Sequence, residues 1–181
     1  MLYKTRGIVL HQVKYSETSI ITKIFTEELG LQSYLVKGAR SRKSKLKANL
    51  FRALSLLNLV VYHKDNKNIH HLKEASPAYN YTSIPVDINK GAISMFLSEI
   101  LYKSIREQET NKPMFDFIFS SLVHLDQQSK AYVNFHIFFM VHFSRFQGFF
   151  PNDNFNETNA SIFDLEEGLF TDRVPLHSNY I

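Results

Sequence analysis

Hydrophobic and polar positions alternate in two different rhythms along this chain. Over the first eighty residues, apolar positions come in short runs rich in β-branched and aromatic types, the composition that strands favour. In residues 7–14, Ile8, Leu10 and Gln12 share one face of an extended segment, and Val9, His11 and Val13 share the other. Residues 19–26 (SIITKIFT) form a second run, and residues 27–30 make a tight connection in which Gly30 can take a positive φ. Residues 31–37 return as a third strand and residues 54–63 make a fourth. A turn at 65–68 then leads into a fifth strand over 69–75. Five short strands with hairpin connections suit a small closed barrel, because closure removes exposed sheet edges. The OB-fold is the five-stranded member of that class; periodicity alone leaves an SH3-like barrel open as well.

The rhythm changes around residues 77–85, where Pro77 and Pro85 bracket a polar, aromatic linker. Asp87 or Asn89 can cap a helix running to about residue 108, on which Ala92, Met95, Phe96, Glu99, Lys103 and Arg106 sort into apolar and charged faces. Asn111 and Pro113 open a second helix to about residue 127, with Phe115, Ile118, Phe119 and Leu122 on its apolar side. A third, residues 131–147, is apolar on most faces and ends at Gly148, so it is expected at the centre of a bundle. In the tail, residues 151–181, only residues 163–170 have an ordered-looking pattern. The fold class is therefore α+β: an OB-type barrel domain over residues 1–80 and an α-helical domain over residues 81–181.

Charge sharpens this division. The net charge is +4, but residues 1–80 carry 14 Lys/Arg against 5 Asp/Glu, whereas the remainder carries 7 against 12. A basic module attracts polyanions. Its charge concentrates in residues 37–47 (KGARSRKSKLK), where Lys37, Arg40, Arg42, Lys43, Lys45 and Lys47 are cationic and nothing is acidic. Lying between the third strand and the next ordered run, this segment is expected to be an exposed, flexible loop. Dense, mobile charge among small residues is what phosphates require. Most charge runs are merely solvated, but one inside a domain already at +9 favours nucleic acid. Tyr3, Tyr15, Phe25, Tyr34, Phe51 and Tyr62 are available in the same half for base stacking, although strand aromatics are usually core.

Candidate chemistry removes more than it adds. The absence of cysteine excludes disulfides, zinc ribbons and thiol chemistry, and fits a reducing cytoplasm. No Walker loop, HExxH or GxSxG motif occurs. His136 and His142 are six apart, the wrong spacing for ligands on one helical face, and the pairs Glu27-Glu28 and Glu166-Glu167 point apart on regular elements. The apolar stretch 132–150 includes Asn134, His136, His142, Arg145 and Gln147, so it reads as a buried helix and not a membrane span. The expectation is a cytoplasmic, non-enzymatic protein with no cofactor, metal or small-molecule substrate.

Several segments in order carry a family resemblance. Residues 4–10 (KTRGIVL), 15–19 (YSETS), 25–30 (FTEELG) and above all 37–41 (KGARS) resemble the start of the bacterial RecO family of recombinational DNA-repair proteins. Residues 147–151 (QGFFP) and 163–168 (FDLEEG) resemble later family landmarks, so the likeness spans nearly the whole chain. It implies an OB-fold followed by a helical domain and binding of single- and double-stranded DNA. It also implies annealing of complementary strands and RecA loading in partnership with RecR, with contact to the acidic C-terminal tail of single-strand-binding protein. The DNA-binding role then falls to Lys37, Arg40, Arg42, Lys43, Lys45 and Lys47, with Arg6 and Arg52 as secondary candidates. Two departures stand out. Many family members carry a four-cysteine zinc site that this chain lacks, and members usually continue with further helices, so the helical domain is expected to be incomplete at its C-terminus. A protein–protein adaptor built on the same barrel and an RNA-binding OB module are the alternatives.

Overall fold

The computed structural model describes the chain except for residues 42, 43, 45, 65, 107, 131 and 156–159. It divides into two compact units, Met1–His136 and Ile137–Ile181. In the first, β1 (Leu2–Lys14), β2 (Ile20–Thr26), β3 (Gly30–Val36), β4 (Leu56–Tyr62) and β5 (His70–Pro77) form a closed barrel in the order β1-β2-β3-β5-β4. The long β1 serves two neighbours: its first half pairs with β4 and its second with β2, with a register shift between Val9 and His11 where it bends. A parallel pairing of β3 with β5, Tyr34 opposite His70 and Leu35 opposite His71, closes the ring.

The barrel is filled by Val9, Ile20, Ile24, Tyr34, Val36, Leu57, Leu59 and Val61, with Phe51 from the short 3-10 helix Ala48–Phe51 packed among them. Gly7 belongs to this closure. A Cβ there would lie 2.6 Å from Leu59 Cδ1 and 2.7 Å from Ile24 Cγ2, so the interior has no room for a side chain.

Two helices follow. α1 (Ile88–Ser104) starts at Asp87, whose carboxylate accepts from the Asn89 and Lys90 amides. Its buried positions are Lys90, Ile93, Leu97 and Leu101. The apolar face expected around Met95 and Phe96 is instead turned outward, with Met95 76% exposed. α2 (Lys112–Gln127) is capped by Asn111, which accepts from the Met114 amide, and carries proline in its first turn. Met114, Phe115, Ile118, Leu122 and Leu125 are buried, and Phe115 lies 5.9 Å from Phe25 of the barrel.

Asp126 ties the linker to α2. Its carboxylate accepts from the amides of Thr82, Ser83 and Ile84 and from the Tyr79 hydroxyl. Burial pushes the carboxyl up, but these bonds, Ile84, Thr82 and Ser83 foremost, outweigh it and hold the group well below the usual carboxylate range. The buried Lys90 ammonium donates to the carbonyls of Asp126 and Gln128 and to Ser83 Oγ.

The second unit contains most of α3 (Phe135–Ser144), a 3-10 turn at Arg145–Gln147, and Gly148 in the left-handed region at φ +84°. α3 is shorter than its apolar run suggests. It is also not wrapped on all sides: Ile137, Phe138 and Val141 are exposed, against the expectation of a central helix. In the tail, β6 (Ile162–Asp164) and β7 (Leu169–Thr171) make a hairpin, and Asp164 also bridges to Tyr180. No helix among the described residues is long and apolar enough to cross a membrane.

Candidate nucleic-acid interface

The basic run begins where β3 ends. Gly38, at φ +68°, turns the chain, and the next residue, Ala39, is buried in the barrel core. The Arg40 amide donates to the Thr18 carbonyl at 2.9 Å, and the Ala48 amide donates to the Ala39 carbonyl at 2.9 Å. Both ends of the run are therefore tied to the barrel, and Leu46 packs partly against its core. The uniformly loose loop expected from composition is corrected by these anchors, because one small apolar residue amid the charges could be buried.

Tethering sets the charged side chains outward. Lys37, Arg40, Lys47 and Arg52 are all exposed, and none has a carboxylate partner among the described residues. Arg40 Nη1 donates to the Glu17 carbonyl at 3.3 Å, which leans its guanidinium toward the β1–β2 connection. Arg42, Lys43 and Lys45, named from the sequence, lie outside the described residues.

Arg6 occupies a different environment. Its Nε donates to Glu27 Oε2 at 2.8 Å, and its Nη2 to Glu27 Oε1 at 3.0 Å and to Asp116 Oδ1 at 2.9 Å. The guanidinium also sits over the rings of Phe115 and Phe119, 5.3 and 4.9 Å from their centroids. The Arg6 hydrogen bonds bring the Glu27 carboxyl down to about 2, with Lys112 Nζ adding a further contact at 3.1 Å. The guanidinium fork is committed to joining the barrel to α2, so Arg6 is set apart from the phosphate candidates. Composition could not reveal this, since Asp116 lies 110 residues away in sequence.

The aromatic candidates divide by burial. Phe25, Tyr34 and Phe51 are fully buried core residues, whereas Tyr15 and Tyr62 are exposed. Only the latter kind can offer a ring face to a base.

Comparison with known proteins agrees with the resemblance in the sequence. The model of the Recombination protein O N terminal domain matches residues 1–81, and that of the Recombination protein O C terminal domain matches residues 85–169. A DNA repair protein RecO of Phocaeicola vulgatus is 39% identical over 182 residues, covering all of this chain and 75% of the relative. Its counterpart from Bacteroides fragilis is 41% identical over 183 residues with the same coverage. That of Flavobacterium johnsoniae is 38% identical over 172 residues, covering 94% of this chain and 71% of the relative.

Proposed function

The chain belongs to the RecO family of DNA repair proteins, and from that premise we propose that it binds DNA through the tethered basic run of its barrel. Lys37, Arg40 and Lys47, together with Arg42, Lys43, Lys45 and Arg52, contact phosphates. The observation that carries this reading is that Lys37, Arg40, Lys47 and Arg52 are exposed and have no carboxylate partner among the described residues, with the run anchored by the burial of Ala39. Cations already satisfied by carboxylates, as Arg6 is, have less to gain from a phosphate. A cationic surface that accepts two strands lowers their mutual repulsion, which suffices to promote annealing without covalent chemistry.

In this reading the protein is a recombination mediator acting on single- and double-stranded DNA in the bacterial cytoplasm. Its protein partners are RecR, with which it assists RecA loading, and the acidic C-terminal tail of single-strand-binding protein. No catalytic residue or cofactor takes part.

The test is anisotropy of a labelled single strand across a salt series. The protein is compared with a variant carrying alanine at Lys37, Arg40, Arg42, Lys43, Lys45 and Lys47. Six contacts to a single strand contribute about −4 to the slope of log K against log salt, at about −0.7 each. A variant whose slope flattens by several units supports the clamp. A variant that binds with an unchanged slope refutes it, and stronger binding to RNA than to DNA would favour the RNA-module alternative.

A further inference from the structure

A small cavity of about 220 Å³ opens where the barrel meets the linker. Leu50 of the 3-10 helix and Leu56 of β4 wall it on the barrel side, and Pro77, Tyr79, Tyr81 and Pro85 wall it on the linker side. The two prolines keep the residues between them out of strand and helix, so both tyrosines stand on irregular backbone.

Their rings are nevertheless fixed. Tyr79 Oη donates to Asp126 Oδ2 at 3.0 Å, and Tyr81 Oη donates to the Leu54 carbonyl at 2.8 Å. The two rings meet edge to face, 5.6 Å between centroids. Leu54 itself sits at φ +63°, with its amide donating to the Val9 carbonyl at 2.7 Å. A leucine stays in that region only where its surroundings over-determine it, and here the strained residue supplies the acceptor that holds Tyr81.

With their hydroxyls spent inside the protein, the tyrosines have only ring faces and edges left for a ligand. The polar side chains around them are unspent. Asn49 and Asn80 are exposed and Ser55 is half-buried, and none of these side chains has a hydrogen-bond partner among the described residues. A rigid apolar floor with a few free polar groups at its rim is the make-up of a binding site.

Size and charge narrow the ligand. The cavity falls below the roughly 300–1,000 Å³ that drug-sized ligands occupy, so it suits one or two small rings of a longer molecule. Three other cavities, of about 640, 330 and 260 Å³, each carry at least three Lys or Arg, whereas the described lining here is uncharged and matches an uncharged segment. Strand addition needs a free sheet edge, but β4 is paired on both sides at this point, Leu57 with Gly7 and with Pro77. A docked helix needs an apolar groove about two turns long, which so small a cavity does not supply. A polyproline II segment needs neither. Its rings lie on aromatic surfaces, and its carbonyls, free of internal hydrogen bonds, accept from side-chain donors.

We propose that this cavity docks an uncharged, proline-bearing polyproline II segment of a partner protein. Tyr79, Tyr81 and Pro85 receive the prolyl rings, and the Asn49 and Asn80 amides donate to the segment's carbonyls. The site is independent of the DNA-binding reading.

The test follows amide chemical shifts of the isotope-labelled full chain during titration with a capped peptide of about nine prolines, three turns of the helix. Saturable shifts at residues 49–57 and 77–85, with a Kd below about 1 mM, are expected. A control peptide with every proline replaced by alanine should not bind. The double variant Asn49→Ala, Asn80→Ala should lose affinity about tenfold or more, the effect of two neutral hydrogen bonds. Tyr79→Phe, which keeps the ring, should bind as the unmodified protein does. Arg42, Lys43 and Lys45 lie outside the described residues, so a variant with alanine at all three is included and should also bind unchanged. Thermal melts confirm that each variant is folded.

No saturable shift, shifts confined to other residues, or equal binding of the alanine peptide would overturn the proposal. Loss of peptide binding in the three-cation variant would do the same by assigning the peptide to the basic run. The Asn49, Asn80 variant is also measured with labelled oligo-dT. Loss of DNA affinity there, with peptide affinity unchanged, would overturn the peptide site in favour of a base pocket.

Discussion

Replacing Glu27 by glutamine tests the joint between barrel and helices at a single carboxylate. Glu27 receives both Arg6 nitrogens and Lys112 Nζ, and its side chain is only 12% exposed. A carboxyl brought from 4.5 to about 2, mainly by the Arg6 hydrogen bonds, corresponds to about 3 kcal/mol at ~1.36 kcal/mol per unit. The partners are 36% and 60% exposed, so solvent screening reduces this to about 2 kcal/mol. The folded-state value is depressed, so the contribution is fully present above the ordinary value of 4.5. It is lost as pH falls through about 2, below which the carboxyl is protonated in both folded and unfolded chains. At neutral pH, Glu27→Gln should lower the melting temperature by about 4–8 °C, using roughly 2–4 °C per kcal/mol for a chain of this size. The same comparison repeated at falling pH should show the two proteins converging, with the gap nearly closed near pH 2. A gap that persists undiminished in acid would refute the argument, because the loss would then come from packing and not from the carboxylate's charge.

Three further substitutions probe features that the fold depends on. Gly30→Ala places a Cβ against the carbonyls of Gln108 and Glu109 at a positive φ. A loss of about 2 kcal/mol or more in a denaturant titration is expected, and wild-type stability would count against the close approach. Asp126→Ala removes the acceptor of three linker amides, and a loss of about 3 kcal/mol should appear as a lower urea midpoint. A change below about 0.5 kcal/mol would mean that water replaces the carboxylate freely. Arg6→Ala should lower thermal stability while leaving the salt slope of DNA binding unchanged; a slope reduced by about 0.7 would return Arg6 to the interface.

How much is legible in the sequence depends on whether the information is local. β2 and β3 can be read to within one residue because alternation and Gly30 are local signals. Residues 2–6 of β1 escape because Tyr3, Lys4, Thr5 and Arg6 mix sizes and charges while pairing with β4, some fifty-five residues later. Both helix starts follow from Asp87 and Asn111, which cap as their type predicts. The buried face of α1 defies its pattern because Lys90, the type least expected inside, is buried there by three oxygen partners from other segments. The basic run is conspicuous, but its anchoring through Ala39 is not. The cavity that Lys23, Lys67 and Arg106 share is hidden altogether, since these residues are scattered in sequence and meet only through the barrel and α1.

The seam between β3 and β5 rests on two residue pairs, whereas β4 and β5 share six and β2 and β3 seven. In hydrogen-exchange terms, this is the place where the ring can open without the sheet coming apart. The amides around Tyr34–Leu35 and His70–His71 should exchange ahead of the rest of the barrel. Lys37 follows the seam directly on one strand and Lys67 precedes it on the other. A ligand that bridged these two ammonium groups would splint the seam, and its amides would then gain protection over the unbridged barrel.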